Sequence, residues 1–471
     1  MVACDRVVLI GWDGFRPDLL GPRLTPNLCA LAGRGVRFVN ATAVFPSETR
    51  PNNAAIGTGC QPGRHGITAN YLRAPEVIRD GLLNTGNHNH LMALAGAPDG
   101  PRRIVGPRTL GEQLVECGRR VAFLSSGSPG QAMLQNPSPF AGWTIHRAFH
   151  APNGLMRSVE ARFGPMPERS SGDDASAVDD YLERVAFEYV VPELDPHLLV
   201  LWSSEPDSSF HYWGIGSPQA EAAIRANDAR LGRVLGRLDL DHTIVFFISD
   251  HGQSTVRERV DLSTELLRGG IRRLARPNDV QVVADGVQFA ERAADALPRL
   301  CAWLREQPWC GPVFVRDDRW SAAIAGTAPA SVLWGGAPGR YVPDVQFSPA
   351  WDDEPNEHGV TGRTARIGTQ APRPISTHGS LNPRDMHNVM LLAGGGVRSG
   401  EVAHAPASTA DLAPTILHLL GADPLRGAQG RVLSEAVDGV EPETASEVVL
   451  DGRWGRLVER RCAGASYIGV E

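Results

Sequence analysis

The chain of 471 residues is 42% hydrophobic and 21% charged, with a formal net charge of −7. These values exclude a disordered polymer and a membrane-embedded bundle, and the acidic balance gives no reason to expect a nucleic-acid polymer as partner. All 46 basic residues are arginine, and the seven cysteines form no C-x-x-C pair, which argues against a disulfide framework and a thiolate zinc site. Reduced thiols, a first apolar run of only four residues (7–10) and no segment long enough to span a membrane lead us to expect a cytoplasmic protein. The length allows one large domain with insertions, or two to three ordinary ones.

Residues 6–11 read as a short, apolar, β-branched strand of the buried parallel kind, ending at Asp13-Gly14. Thr25-Pro26-Asn27-Leu28 opens a helix with Thr25 as N-cap, and Gly33 or Gly35 closes it. Residues 36–43 form the next strand, which delivers the turn at Thr49; 110–118 are helical, and 120–124 form a strand ending in Ser125-Ser126-Gly127. Rich in Pro, Gly, Ser and aromatics, 137–174 is expected to be a long surface excursion. Helix returns at 175–188 and strand at 197–202, ending in Glu205-Pro206-Asp207. A helix at 218–238 precedes a very apolar strand, 243–248, ending in Ser249-Asp250-His251-Gly252. This alternation predicts a doubly wound α/β sheet whose ligands bind beyond the carboxyl ends of its strands.

From 254 to 377 the pattern changes: strands at 280–283 and 313–315 flank an amphipathic helix at 289–305, and 352–374 is polar and loop-like. We expect a core of residues 1–254 and 376–471, with 255–375 inserted as a cap subdomain that leans over the site. The core resumes with a strand at 388–393 and a helix at 410–421 stopped by Gly421.

Thr49 follows a Pro-punctuated strand end where a helix of small residues (Asn53, Ala54, Ala55, Gly57) can begin, so its hydroxyl projects near a helix N-terminus. Taken alone, Ser47-Glu48-Thr49 is more often a plain N-cap with acidic support. Three acidic motifs also fall just after strands: Asp13, then Asp207 with His211 at i, i+4, then Asp250-His251. Each has an ordinary reading as a turn, a surface pair or a cap, but together they land where an α/β sheet puts its chemistry. Oxygen and imidazole ligands without cysteine suit zinc first and manganese second, and two such ions about 4 Å apart serve an in-line displacement.

Motifs in family order then carry a resemblance through most of the chain: Asp13-Gly14-x-Arg16, Thr25-Pro26-Asn27-Leu28, Phe45-Pro46-Ser47-x-Thr49, Thr58-Gly59, His65-Gly66-Ile67 with Asn70, Glu205-Pro206-Asp207-x-x-x-His211, Ser249-Asp250-His251-Gly252, Thr377-His378-Gly379 and Asp411-Leu412-Ala413-Pro414-Thr415. The sequence resembles the alkaline phosphatase superfamily, in its nucleotide pyrophosphatase/phosphodiesterase branch, with phosphonoacetate hydrolases close by. The resemblance implies an alkaline-phosphatase-like, doubly wound, mostly parallel sheet with helices on both faces. It implies that Thr49 is the nucleophile and, with Asp13, Asp250 and His251, a ligand of one zinc, while Asp207, His211 and His378 bind the other. His378 is preferred to His358, which also precedes a glycine, because the strand and glycine triplet follow His378 at the family's interval. Asn70 and the Thr49 N–H would hold a non-bridging phosphoryl oxygen. The implied course is a phospho-threonine intermediate, then hydrolysis, with no general-base histidine.

The frame C/S-x-P-x-R of sulfatases reads Thr49-Arg50-Pro51-Asn52-Asn53 here, which disfavours sulfate esters. Thr49-x-Pro51-Asn52-Asn53 and Gly66-Ile67-x-x-Asn70-Tyr71 look like phosphonoacetate hydrolase, but that family grips its carboxylate with lysines; Arg50, Arg73 or Arg79 would have to substitute. The expected substrate is therefore a small phosphodiester or pyrophosphate, with C–P cleavage or phosphomonoester hydrolysis as alternatives. Arg50, Tyr71 and Tyr212 are substrate-pocket candidates, and Phe210 and Trp213 further candidates for an apolar wall. His88 and His90, though spaced like a metal pair, are read as a solvated loop or pocket rim. A silent ligand-binding relative and a phosphotransferase using Thr49 are the competing classes.

Overall fold

Short runs dominated by Val, Ile, Leu and Phe build an eight-stranded central sheet. The computed structural model describes residues 4–98, 100–138, 140–169, 174–275, 279–283, 286–289, 295–316, 318–336, 339–368, 370–437 and 439–471. In chain order the strands are β1 (Arg6–Trp12), β2 (Gly35–Phe38), β3 (Val121–Ser125), β4 (Trp143–Ile145), β5 (Leu198–Ser203), β6 (Thr243–Ile248), β7 (Met390–Gly394) and β8 (Glu401–Ala403). Their spatial order is β8-β2-β7-β6-β1-β5-β3-β4. Neighbours run parallel except β7, which is antiparallel to both β2 and β6.

Alternation along β1 decides the layers. Val8 and Ile10 join one apolar cluster, with Leu28, Leu182 and Ile224 from helices on that face. Val7 and Leu9 join another, with Ile56, Leu114 and Leu417 from helices on the opposite face. All six residues of β6 are buried, and each large apolar side chain there contributes about 1.5–3 kcal/mol. The helices used below are α1 (Pro26–Ala32), α2 (Thr49–Thr58), α3 (Pro129–Gln135), α4 (Asp207–Trp213) and α5 (Pro218–Leu235).

Several local expectations are corrected. Thr25 does not cap α1; its hydroxyl bonds back to Gly21, and the buried Asp228 of α5 accepts the Asn27 and Leu28 N–H groups instead (3.0 and 2.9 Å). Residues 36–43 are not one strand: β2 stops at Phe38, and Ala41–Thr42 pairs separately with Ala407–Ser408. The expected excursion after residue 137 instead contains β4 and a helix (Leu155–Phe163), although 139 and 170–173 lie outside the described residues. The polar stretch 352–374 contains strands Trp351–Pro355 and Thr361–Ile367, and the helix expected at 289–305 is seen as Leu297–Glu306, with 290–294 outside the described residues.

Between β6 and β7 the chain builds two further sheets. Ser254–Val260 pairs with Thr361–Ile367 and with Ser376–Thr377, and a five-stranded sheet includes Val280–Val283, Cys310–Val315 and Val345–Pro349. Phe314 from this region packs with Phe45, which leads into the Thr49 turn (ring centroids 6.5 Å). The seven cysteines are free. Among the described residues no helix is long and apolar enough to cross a membrane.

Candidate active site and metal centre

Three central strands end in the site. Asp13 follows β1, Asp207 opens α4 after β5, and Asp250-His251 follow β6. The Asp207 N–H donates to the Asp13 carbonyl (3.0 Å), which ties the first two strand ends together. Gly14 makes the crossing with a positive φ of 71°. Its N–H donates to Asp250 Oδ1 (3.2 Å), and a side chain there would meet Asp207 Cβ at 3.0 Å.

The side chains gather in two groups, each able to hold a metal ion: Asp13, Asp250 and His251, all buried, and Asp207, His211 and His378, more open. In the first, His251 Nε2 lies 3.4 Å from Asp13 Oδ1 and 3.7 Å from Asp250 Oδ2. In the second, Asp207 Oδ1 lies 3.2 Å from His211 Nε2 and 3.6 Å from His378 Nε2. The stacked rings of His251 and His378, 4.0 Å apart, join the groups.

Backbone carbonyls set the histidine tautomers. Nδ1 of His251 faces the Gly252 carbonyl (2.8 Å), that of His211 the Ser376 carbonyl (3.0 Å) and that of His378 the Ser47 carbonyl (3.1 Å). With the proton donated from Nδ1, each Nε2 lone pair points at the carboxylates, as a metal ligand requires. Asp13 Oδ1 and Asp207 Oδ1 are buried and have no hydrogen-bond partner among the described residues. Orphaned carboxylate oxygens facing unprotonated imidazole nitrogens suit divalent ions, and the all-oxygen-and-nitrogen donor set suits zinc or manganese.

The electrostatics agree. Burial, then the Asp250 and Asp207 carboxylates, push Asp13 well above its ordinary pKa, and burial also raises Asp250. Without an ion, burial opposes charge on Asp207, but a proton held between it and His211, followed by His378 and His251, outweighs this and holds Asp207 below its ordinary value; a metal ion would take that proton's place. Burial and the adjacent His251 hold His378 well below its own. So much buried negative charge needs a cation beyond this chain's side chains.

Thr49 is the first residue of α2, with its Oγ1 3.2 Å from His251 Nε2. The plain cap reading fails there: Glu48 is the N-cap residue and makes no side-chain cap bond, and the Ser47 hydroxyl donates to the Ser380 carbonyl. Asn70 is brought alongside; its side-chain oxygen accepts the Arg50 N–H (3.2 Å), leaving its NH₂ as the donating end. Arg50 reaches away to Ser128 Oγ (3.3 Å) and over Gly86.

The remaining pocket candidates are placed less centrally. Tyr71 is half-exposed on a short strand paired with Leu83–Asn84. The Tyr212 ring is covered by the Arg373 guanidinium, 4.0 Å from its centroid. Phe210 is corrected outright: its side of α4 faces inward, and it is fully buried in the core. His358 sits on a turn, its N–H donating to Asn356 Oδ1, and belongs to neither metal-capable group. His88 and His90 begin a helix (His88–Gly96) rather than a loop; His90 Nδ1 accepts the Asn84 N–H.

Two features escaped the sequence reading. Asn53 donates to Asp250 Oδ2 (3.1 Å) and to the Thr49 carbonyl (2.8 Å), while its Oδ1 accepts from Gln131 and Gln135 of α3 (3.0 and 2.8 Å). Glu48 accepts the Asn70 N–H on Oε2. The available signals were glutamines at i, i+4 on one short helix and a polar pair, Asn52-Asn53, just ahead of the small, apolar run 54–57 of another.

Residues 7–305 match the type I phosphodiesterase / nucleotide pyrophosphatase family. The chain belongs to this family. It is a family of hydrolytic enzymes within the alkaline phosphatase superfamily, and a sulfatase-family match over residues 219–422, which leaves out Thr49, reflects the same wider kinship. Among curated relatives, this phosphodiesterase-family chain is 27% identical over 256 residues to an uncharacterised pyrophosphatase/phosphodiesterase of Schizosaccharomyces pombe. That match covers 53% of the chain and 45% of the relative, so it spans less than half of the yeast protein. Ectonucleotide pyrophosphatase/phosphodiesterase family member 5 of Homo sapiens is 25% identical over 465 residues, 95% of this chain and 82% of that one. The solved structure of alkaline phosphatase PafA superposes with a TM-score of 0.68 at 15% identity, covering 92% of this chain and 99% of that one, and establishes the shared fold.

Proposed function

We propose that the protein is a two-metal hydrolase of phosphodiester or pyrophosphate bonds in small phosphorylated molecules, acting through a phospho-threonine intermediate on Thr49. The observation that carries this reading is the Thr49 hydroxyl at a helix N-terminus, 3.2 Å from His251 Nε2, beside two carboxylate–imidazole groups that share a histidine stack. Asp13, Asp250, His251 and Thr49 would hold one divalent ion, and Asp207, His211 and His378 the other. Such ions supply Lewis acidity at the phosphoryl group and make a hydroxyl acidic enough to attack at neutral pH.

The chain's own groups do the rest. Thr49 Oγ1 forms a bond to phosphorus as the bond to the leaving-group oxygen breaks; water then cleaves the Oγ1–P bond and restores the hydroxyl. The Asn70 NH₂ and the Thr49 N–H hold a non-bridging oxygen where charge develops. Asn53 ties Asp250 Oδ2 to the Thr49 carbonyl.

The test is hydrolysis of bis-p-nitrophenyl phosphate, p-nitrophenyl phosphate, a thymidine 5′-nitrophenyl ester and phosphonoacetate by zinc-loaded and chelated protein. Metal-dependent preference for the two diesters is expected. Thr49→Ala is expected to keep fold and metal content while losing at least about a thousandfold in turnover, as loss of a nucleophile entails. A Thr49→Ala protein with near wild-type rates would remove Thr49 from the mechanism, and preference for phosphonoacetate would replace the diester reading with C–P cleavage.

A further inference from the structure

One carboxylate at the site belongs to neither metal-capable group. Glu48 directly precedes Thr49 and makes no cap bond to α2. Its Oε2 accepts the Asn70 N–H, so the carboxylate is held beside the residue proposed to bind a phosphoryl oxygen. On its other side it packs against the backbone that follows His378: a side chain at Gly379 would lie 3.0 Å from Glu48 Cγ and 3.3 Å from Oε1. Gly379 holds a positive φ of 106°, which keeps that approach open. Glu48 thus spans from Asn70 to the second metal-capable group, and it remains half-buried rather than sealed in.

A hydrogen bond to one N–H does not need a charge there; a glutamine oxygen would serve. What the acid adds is a negative charge between Asn70 and the backbone that follows His378. A phosphodiester brings one negative charge to the site, whereas a phosphomonoester or inorganic phosphate brings about two at alkaline pH. The Arg50 guanidinium is directed to Ser128 rather than into an ion pair with Glu48, although its charge still acts on both Glu48 and Asp13.

Resting on the reading of this site as a phosphoryl site, we propose that Glu48 is a specificity-determining residue that selects singly charged phosphoryl groups and disfavours phosphate dianions through like-charge repulsion.

The test reads anion affinity rather than turnover. Zinc-loaded wild type and Glu48→Gln are titrated calorimetrically with inorganic phosphate and with dimethyl phosphate, at alkaline pH so that phosphate is the dianion. Glutamine keeps an oxygen for the Asn70 N–H and removes only the charge. Phosphate is expected to bind about tenfold tighter to Glu48→Gln and dimethyl phosphate, with half the charge, about threefold tighter, as loss of one near, partly screened charge predicts. Glu48→Ala should move phosphate in the same direction, which keeps the test independent of how the glutamine packs. Equal changes for both anions, or none, overturn the proposal while leaving the phosphoryl-site reading intact. Failure of wild type to bind either anion overturns both.

Discussion

At the scale of single residues, the site depends on amides as much as on its ligands. Asn53 is fully buried, and its four hydrogen bonds connect Asp250 and the start of α2 to the two glutamines of α3. The glutamine donors settle which end of the Asn53 amide faces Asp250, since an oxygen there would oppose a carboxylate. Asn53→Ala leaves several buried polar groups unpaired and should cost about 2–3 kcal/mol in urea denaturation. It should also weaken metal affinity about tenfold, as loss of an outer-shell partner does, measured by competition with a chromogenic chelator. Unchanged affinity would make Asn53 purely structural. Asp13, Asp207, Asp250 and His251 could be read from the sequence because each follows an apolar strand by one to four residues, and His211 because it stands at i, i+4 from Asp207. Asn53, Gln131, Gln135 and Glu48 could not, because their roles depend on which helices and loops meet in space.

At the scale of elements, an acid on another helix replaces the cap expected from Thr25. Asp228 sits in the middle of α5 yet accepts two N–H groups at the start of α1, where the helix dipole favours negative charge. Asp228→Ala should therefore destabilise the fold by about 1–2 kcal/mol, and Thr25→Ala by less, in equilibrium unfolding. The reverse order would restore Thr25 as the cap. The apolar strands β1, β5 and β6 were legible because buried parallel strands are continuous apolar runs. Strands Trp351–Pro355 and Thr361–Ile367 were not, since most of their side chains are polar or half-exposed. β4 escaped for a different reason: its three residues are too few to show a period.

At the scale of the whole molecule, the buried acids make ion binding and folding one equilibrium. Asp13 and Asp250 are forced together by the strand order and repel each other without a cation. Chelation should lower the unfolding midpoint and added zinc restore it, with a stabilisation of about 4 kcal/mol at a free-metal excess of roughly a thousandfold over Kd. Superimposable melting curves with and without chelator would show that the groups hold no ion. The second metal-capable group is completed late in the chain. Ile375 N–H bonds to the His211 carbonyl and Thr377 pairs with Ser254, so the excursion between β6 and β7 has to return before His378 can reach Asp207.

The position of β7 carries the same dependence into the sheet. β2 lies within the first forty residues, yet its neighbours are residues 390–394 and 401–403. During synthesis this strand emerges with both edges open and waits for roughly 350 more residues. At about 5–20 residues per second that is roughly 20–70 s, ample time for strand edges to find other chains. The two metal-capable groups likewise cannot both be complete before His378 has been made.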